Sequence, residues 1–115
     1  MQPIVHLMTP HAWAATSDGA LRPPSLAQEG FVHCSAPAQV AAVANARFHD
    51  EDTLVMIVLD PRELRSDVVW EDSYDAGQRF PHVYGPIDRQ AIARIVEYRG
   101  GADGSFQTPV LDDLS

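Results

Sequence analysis

Lysine is absent from this chain and cysteine occurs once. Eight arginines carry all of the positive charge against 16 acidic residues, a formal net charge of −8. Binding to nucleic-acid tracts needs a basic stripe that displaces counterions, and none is present, so nucleic acid is excluded as a bulk partner. One or two arginines still suit an isolated phosphate or carboxylate, because the guanidinium fork favours bidentate contacts. With Cys34 alone, no internal disulfide and no cysteine-based zinc site can form within one chain, which fits a reducing cytoplasm. No apolar run approaches the roughly 18 residues of a membrane span, and Met1 to His6 lacks a basic region leading into a long apolar one. A cytoplasmic protein with no membrane partner is expected. Missing as well are a phosphate-cradling glycine loop, a dinucleotide fingerprint, a Gly-x-Ser-x-Gly elbow and any internal repeat.

What is present describes one globular domain over residues 1–115, with an ordered core from about 3 to 106 and a loosely held carboxyl tail. At 45% apolar and 21% charged, the composition supports a packed core rather than disorder. Pro3 to Met8 reads as a strand. Thr9-Pro10 then starts a short helix that stops near Asp18-Gly19. Leu21 to Gly30, with Pro23-Pro24, reads as loop or a short turn. Phe31 to Cys34 is a strand. A helix follows, capped by Ser35 with Pro37 in its first turn and an apolar stripe of Ala36, Val40, Val43, Ala44 and Phe48. Thr53 to Leu59 is an unbroken apolar run expected as a central strand covered on both faces. Asp60-Pro61 caps a single helical turn, and Asp67 to Glu71 forms another strand. After a polar turn over Asp72 to Arg79, Phe80 to Gly85 forms a further strand. Asp88 to Ala91 gives a brief turn, and Ile92 to Tyr98 ends as strand. The fold class is therefore α+β: mixed, largely antiparallel split sheets with two main flanking helices.

Two segments place a histidine two residues after an aromatic, Phe31-Val32-His33 and Phe80-Pro81-His82. The two-residue strand period sets Phe31, His33 and Ser35 on one face, and Phe80, His82 and Tyr84 on one face of the other strand. Histidine titrates near working pH and can donate, accept or exchange a proton, so His33 and His82 are the candidate proton carriers. Ser35 reads first as a helix cap. The helix start behind it offers backbone donors that could seat an anion. Cys34 lies opposite His33 and reads as a small core residue. Trp13 and Trp70 read as core or pocket walls, and Glu29 and Glu71 as carboxylates at a cleft. His6, His33 and His82 match no ligand pair of recognised spacing, so no metal site is assigned.

His6, Trp13, Ser25-Leu26-x-x-Glu29-Gly30-Phe31-x-His33-Cys34-Ser35, Gln39-Val40-x-x-Val43-Ala44-Asn45, Leu59-Asp60, Glu71 and Phe80-Pro81-His82-x-Tyr84-Gly85-Pro86 together resemble the bacterial and plant family called domain of unknown function 952. The resemblance runs from Ile4 to about Phe106. That family carries no established activity, and its fold is similar to that of ADP-ribosyltransferases, where two small sheets form a split cleft for NAD. The resemblance implies His6 as the leading histidine for the NAD ribose, with His33 and Ser35 in the second motif and His82 near the third. No glutamate here holds the transferase motif position, which leaves the role of base to His82. Two functions follow. One is an enzyme acting on NAD or an ADP-ribose-type small molecule through His6, His33 and His82, with Trp13, Glu29, Phe31, Ser35, Glu71, Phe80 and Tyr84 around the ligand. The other is a non-catalytic module that keeps the cleft and binds a small metabolite.

Overall fold

The computed structural model describes residues 1–114. Six strands, β1 (Ile4–Met8), β2 (Val32–His33), β3 (Thr53–Leu59), β4 (Val68–Glu71), β5 (Phe80–Val83) and β6 (Ile92–Arg99), form two three-stranded sheets ordered β1-β3-β6 and β2-β5-β4. Every strand pairing among the described residues is antiparallel. Beside them lie α1 (Pro10–Ala14), α2 (Pro24–Glu29) and α3 (Val40–Arg47). No described helix is long and apolar enough to cross a membrane.

The strand period explains the layering. On β1 and β3, Ile4, Met8, Ile57 and Leu59 face the same way and join Val32, Cys34 and Val83 of the smaller sheet in one buried cluster. Val5, Leu7, Leu54, Met56 and Val58 face the other way and pack with Val40, Ala44, Tyr98 and Phe106. The central strand β3 is thus covered on both faces, as its unbroken apolar run requires. The smaller sheet gives its apolar side to the first cluster, and that leaves the side carrying Phe31, His33, Phe80, His82 and Tyr84 free to line a site. Among the described residues one bridge joins the sheets: the Val5 N–H donates to the Ser35 carbonyl and the Ser35 N–H to the Val5 carbonyl, each at 2.8 Å.

Several elements differ from the sequence reading. The Leu21 to Gly30 stretch contains a true helix, α2, with proline in its first turn and Gly30 closing it at φ 88°. A left-handed residue of this kind is the usual helix stop, and glycine takes it without steric cost. α1 ends at Ala14 rather than near Gly19, since the Thr16 hydroxyl donates at 2.7 Å to the Trp13 carbonyl and competes with continued helix. Ser35 does not cap a helix; its backbone is committed to the Val5 bridge, and Ala36 precedes a 3-10 turn over Pro37–Gln39 that leads into α3. The anion seat expected there is filled from within, because the Gln39 Oε1 accepts from the Ala36 N–H at 2.9 Å. Trp70 lies on the edge strand at 46% exposure and is neither core nor cavity wall. Ile92–Arg99 is strand throughout.

The carboxyl segment is tied back to the body. Asn45 donates from Nδ2 to the Phe106 carbonyl and accepts the Phe106 N–H on Oδ1, while the Leu114 N–H reaches the Met1 carbonyl. Gly85, which ends the second histidine segment, is required by packing: an added Cβ would sit 2.1 Å from the Ser66 Oγ and 2.8 Å from its Cβ. Gly85→Ala is expected to cost about 1–3 kcal/mol in urea unfolding, and Ser66→Gly should restore most of it. An unchanged midpoint in the single variant would show that the two loops have room to part.

Candidate functional site

A cavity of about 350 Å³ opens between the β1 seam, the histidine face of the smaller sheet, α3 and the turn after β4. Small and apolar residues wall it, among them Val5, Ala42, Val43 and Phe80, and His6, His33 and His82 line it together. The three imidazoles singled out in the sequence therefore meet in one hollow. His33 and His82 are direct partners in the β2·β5 register, with ring centroids 5.4 Å apart. Phe31 lies flat on His82 at 4.1 Å and meets His33 edge-on at 5.0 Å, which fixes both rings. Ser35 lines the cavity as well. Tyr84 reaches the group through Phe31, at 5.3 Å.

Each cleft histidine on the smaller sheet carries a carboxylate and a phenol. Glu71 is diagonal to His82 on the paired strand, and its Oε1 accepts from His82 Nδ1 at 2.9 Å and from the Tyr84 hydroxyl. Those bonds, Tyr84 first and His82 next, hold the Glu71 carboxyl below its ordinary value, so it is a carboxylate at neutral pH. A carboxylate only accepts, and His82 Nδ1 is consequently the protonated nitrogen. Across the register pair, Glu29 accepts from the Tyr74 hydroxyl, and His33 Nε2 lies 3.4 Å from Glu29 Oε1 and 3.3 Å from the Tyr74 oxygen. Hydrogen bonding from Tyr74 holds Glu29 low as well. The Tyr74 ring stacks on His33 at 5.8 Å.

His6 is set differently. Its Nδ1 sits 2.7 Å from the His33 carbonyl, and because a carbonyl cannot donate, Nδ1 carries the proton. Desolvation by burial lowers its pKa, and burial lowers that of His33 too against the opposing pull of Glu29. Neither His6 Nε2 nor His82 Nε2 has a partner, yet no buried side-chain nitrogen or oxygen among the described residues lacks one. Both residues line the same cavity. With Nδ1 as the donor in each ring, Nε2 is the atom left to accept from a ligand's hydroxyl or amide group.

The depressed values fix a pH dependence. An unfolded histidine titrates near 6.5, so below that pH the unfolded chain binds protons that folded His6 and His33 refuse. Stability is full above about pH 6.5 and is lost as pH falls through the lower folded values. Thermal unfolding should show Tm dropping between about pH 7 and 5, and His6→Gln, which can still donate to the His33 carbonyl, should flatten part of that drop. A Tm level across the range would contradict the neutral assignment.

Two other residues take no part in these hydrogen bonds, although Cys34 lines the cavity. Trp13 is not brought to the cavity; it packs against the first cluster, with the Arg89 guanidinium 5.1 Å from its ring centre. Cys34 is buried among apolar groups, which pushes its thiol pKa far up and keeps it protonated. No group of three metal-ligating side chains occurs among the described residues. Two members of the site escaped the sequence reading. Tyr74 lies in the polar turn over Asp72 to Arg79, where an aromatic amid charged and small residues was the available signal. Arg47 ends α3 with its Cζ 5.6 Å from the Tyr74 ring centre, and no sequence pattern distinguished it from the other arginines.

Comparison with known proteins agrees with this architecture. Over residues 7–95 the chain matches the family model described as "Protein of unknown function (DUF952)". The crystal structure of protein CC0527 from Caulobacter crescentus is similar at TM-score 0.75 and 31% identity, over 91% of this chain and 93% of that one. Its solution NMR structure gives TM-score 0.77 at 30% identity, over 93% of each chain. No curated protein matches. A model match over most of the length means that the chain belongs to the DUF952 family.

Proposed function

We propose that this protein is a small-molecule enzyme of the ADP-ribosyl-transfer type, with a cavity that takes the nicotinamide riboside half of NAD or a related ADP-ribose compound. Two separate three-stranded antiparallel sheets support this reading. The observation that carries the reading is the Glu71–His82 pair at the cavity, in which a carboxylate holds the proton on Nδ1, and we assign Nε2 of that ring as the base. A volume of about 350 Å³ is at the small end of ligand pockets and suits one ring with its sugar rather than a whole dinucleotide. Ribose hydroxyls and the carboxamide N–H are the donors that His6 Nε2 and His82 Nε2 require.

In the reaction, an acceptor hydroxyl or water gives its proton to His82 Nε2 and its oxygen bonds to the ribose C1′. The bond from C1′ to the nicotinamide nitrogen breaks, and nicotinamide leaves as a neutral molecule with the electron pair. The imidazolium formed is stabilised by Glu71, and the Tyr84 hydroxyl holds that carboxylate in place.

A non-catalytic binding module is favoured by the apolar lining alone, since Val5, Leu7, Val43 and Phe48 serve binding without chemistry. Calorimetry with NAD and ADP-ribose, together with chromatography for released nicotinamide, separates the two. The enzyme reading expects saturable binding and nicotinamide release; binding without release supports the module, and no heat with either compound contradicts the enzyme reading.

A further inference from the structure

We propose that Arg47 is the specificity residue of this cavity, holding the phosphate of a phosphorylated ligand at the mouth while the sugar lies on the histidines; this rests on the nicotinamide riboside reading above. Arg47 is the cationic side chain lining the cavity, in a protein whose acids outnumber its bases two to one. No ion pair holds it among the described residues, and its partner is Tyr74, which it meets at the ring and through a side-chain hydrogen bond. The nearby carboxylates are otherwise engaged, Glu29 by Tyr74 and His33, and Glu71 by Tyr84 and His82.

The local sequence makes the space. Ala42, Val43 and Ala46 present small side chains from α3 to the cavity, so the guanidinium one residue further on overhangs an open slot rather than a packed seam. Its planar fork matches two phosphate oxygens, and its contacts with Tyr74 pre-orient it. The field of this cation is felt across the site, since it opposes protonation of His33 and favours the charged form of Glu29. Acceptors at the floor and a cation at the rim define a ligand with hydroxyl donors at one end and an anion at the other, the pattern of a sugar phosphate.

The test compares nicotinamide mononucleotide with nicotinamide riboside, which differ by one phosphate, in calorimetry at low and moderate salt. The wild-type protein should bind the phosphorylated compound about 10- to 100-fold tighter, with a preference that shrinks as salt rises. Arg47→Ala should bring the two affinities to within about threefold, and Arg47→Lys should keep part of the difference. Arginine at a helix end also complements the helix dipole, so Tm is measured on each variant; a fall in Tm with the phosphate preference intact would overturn the proposal in favour of that structural role. Equal wild-type affinity for both compounds overturns the Arg47 assignment alone. Binding of neither overturns the nicotinamide reading and the assignment together.

Discussion

Glu71→Gln is expected to lower the rate of nicotinamide release by about 10²- to 10⁴-fold while the protein stays folded. Glutamine is nearly the same size, so the packing around His82, which is 2% exposed, is kept. What changes is the proton. The amide can turn its carbonyl or its NH₂ toward Nδ1; with the NH₂ donating, Nδ1 becomes the acceptor and the proton moves to Nε2, where a base is needed. With the carbonyl facing Nδ1 the tautomer survives, but the imidazolium formed in the reaction loses its counter-charge. Tyr84→Phe should have a smaller effect in the same direction, because it removes only the phenol that steadies the carboxylate. Circular dichroism and Tm on the same samples separate lost chemistry from lost fold. Full nicotinamide release by a folded Glu71→Gln protein would mean that His82 is not the base.

The second large effect is on stability. Ile57 and Ile95 face each other in the β3·β6 register, but Ile57 is fully buried and Ile95 is 50% exposed. Ile57 also lies opposite His6 in the β1·β3 register, so it supports the strand that carries the cavity's back wall. Ile57→Ala removes branched apolar volume from a site with dense packing on all sides and should cost about 2–5 kcal/mol in urea unfolding. Ile95→Ala should cost about 1 kcal/mol or less, since a half-exposed side chain leaves no sealed cavity behind. Equal losses in the two variants would place the core elsewhere than the β3 seam.

The strand periods in the sequence were enough to set Phe31 and His33 on one face and Phe80 and His82 on another, and the sheet turns those faces into a common wall. The same reasoning found β3, because seven consecutive apolar-rich residues have few other places to go. It missed α2, where Pro23-Pro24 reads as a helix breaker although Pro24 stands in the first turn, a position that needs no N–H. It gave Ser35 a cap role that a long-range bridge to Val5 displaces, and bridges between residues 30 apart leave no local mark. Tyr74 and Arg47 joined the site for the same reason: each is ordinary in its own segment, and only the folding of α3 over the turn after β4 brings them to His33. Trp13 shows the converse, a conspicuous residue whose surroundings are core and Arg89 rather than the cavity.

The most direct test of the account reads the ring nitrogens of His6 and His82 by ¹⁵N-detected NMR on the folded protein near pH 7.5, with and without nicotinamide mononucleotide. The account predicts that both rings carry their proton on Nδ1, with lone-pair Nε2 signals that shift together when the ligand is added. Protonated Nε2 in either ring, or Nε2 signals that stay fixed while the ligand saturates the protein elsewhere, would contradict it.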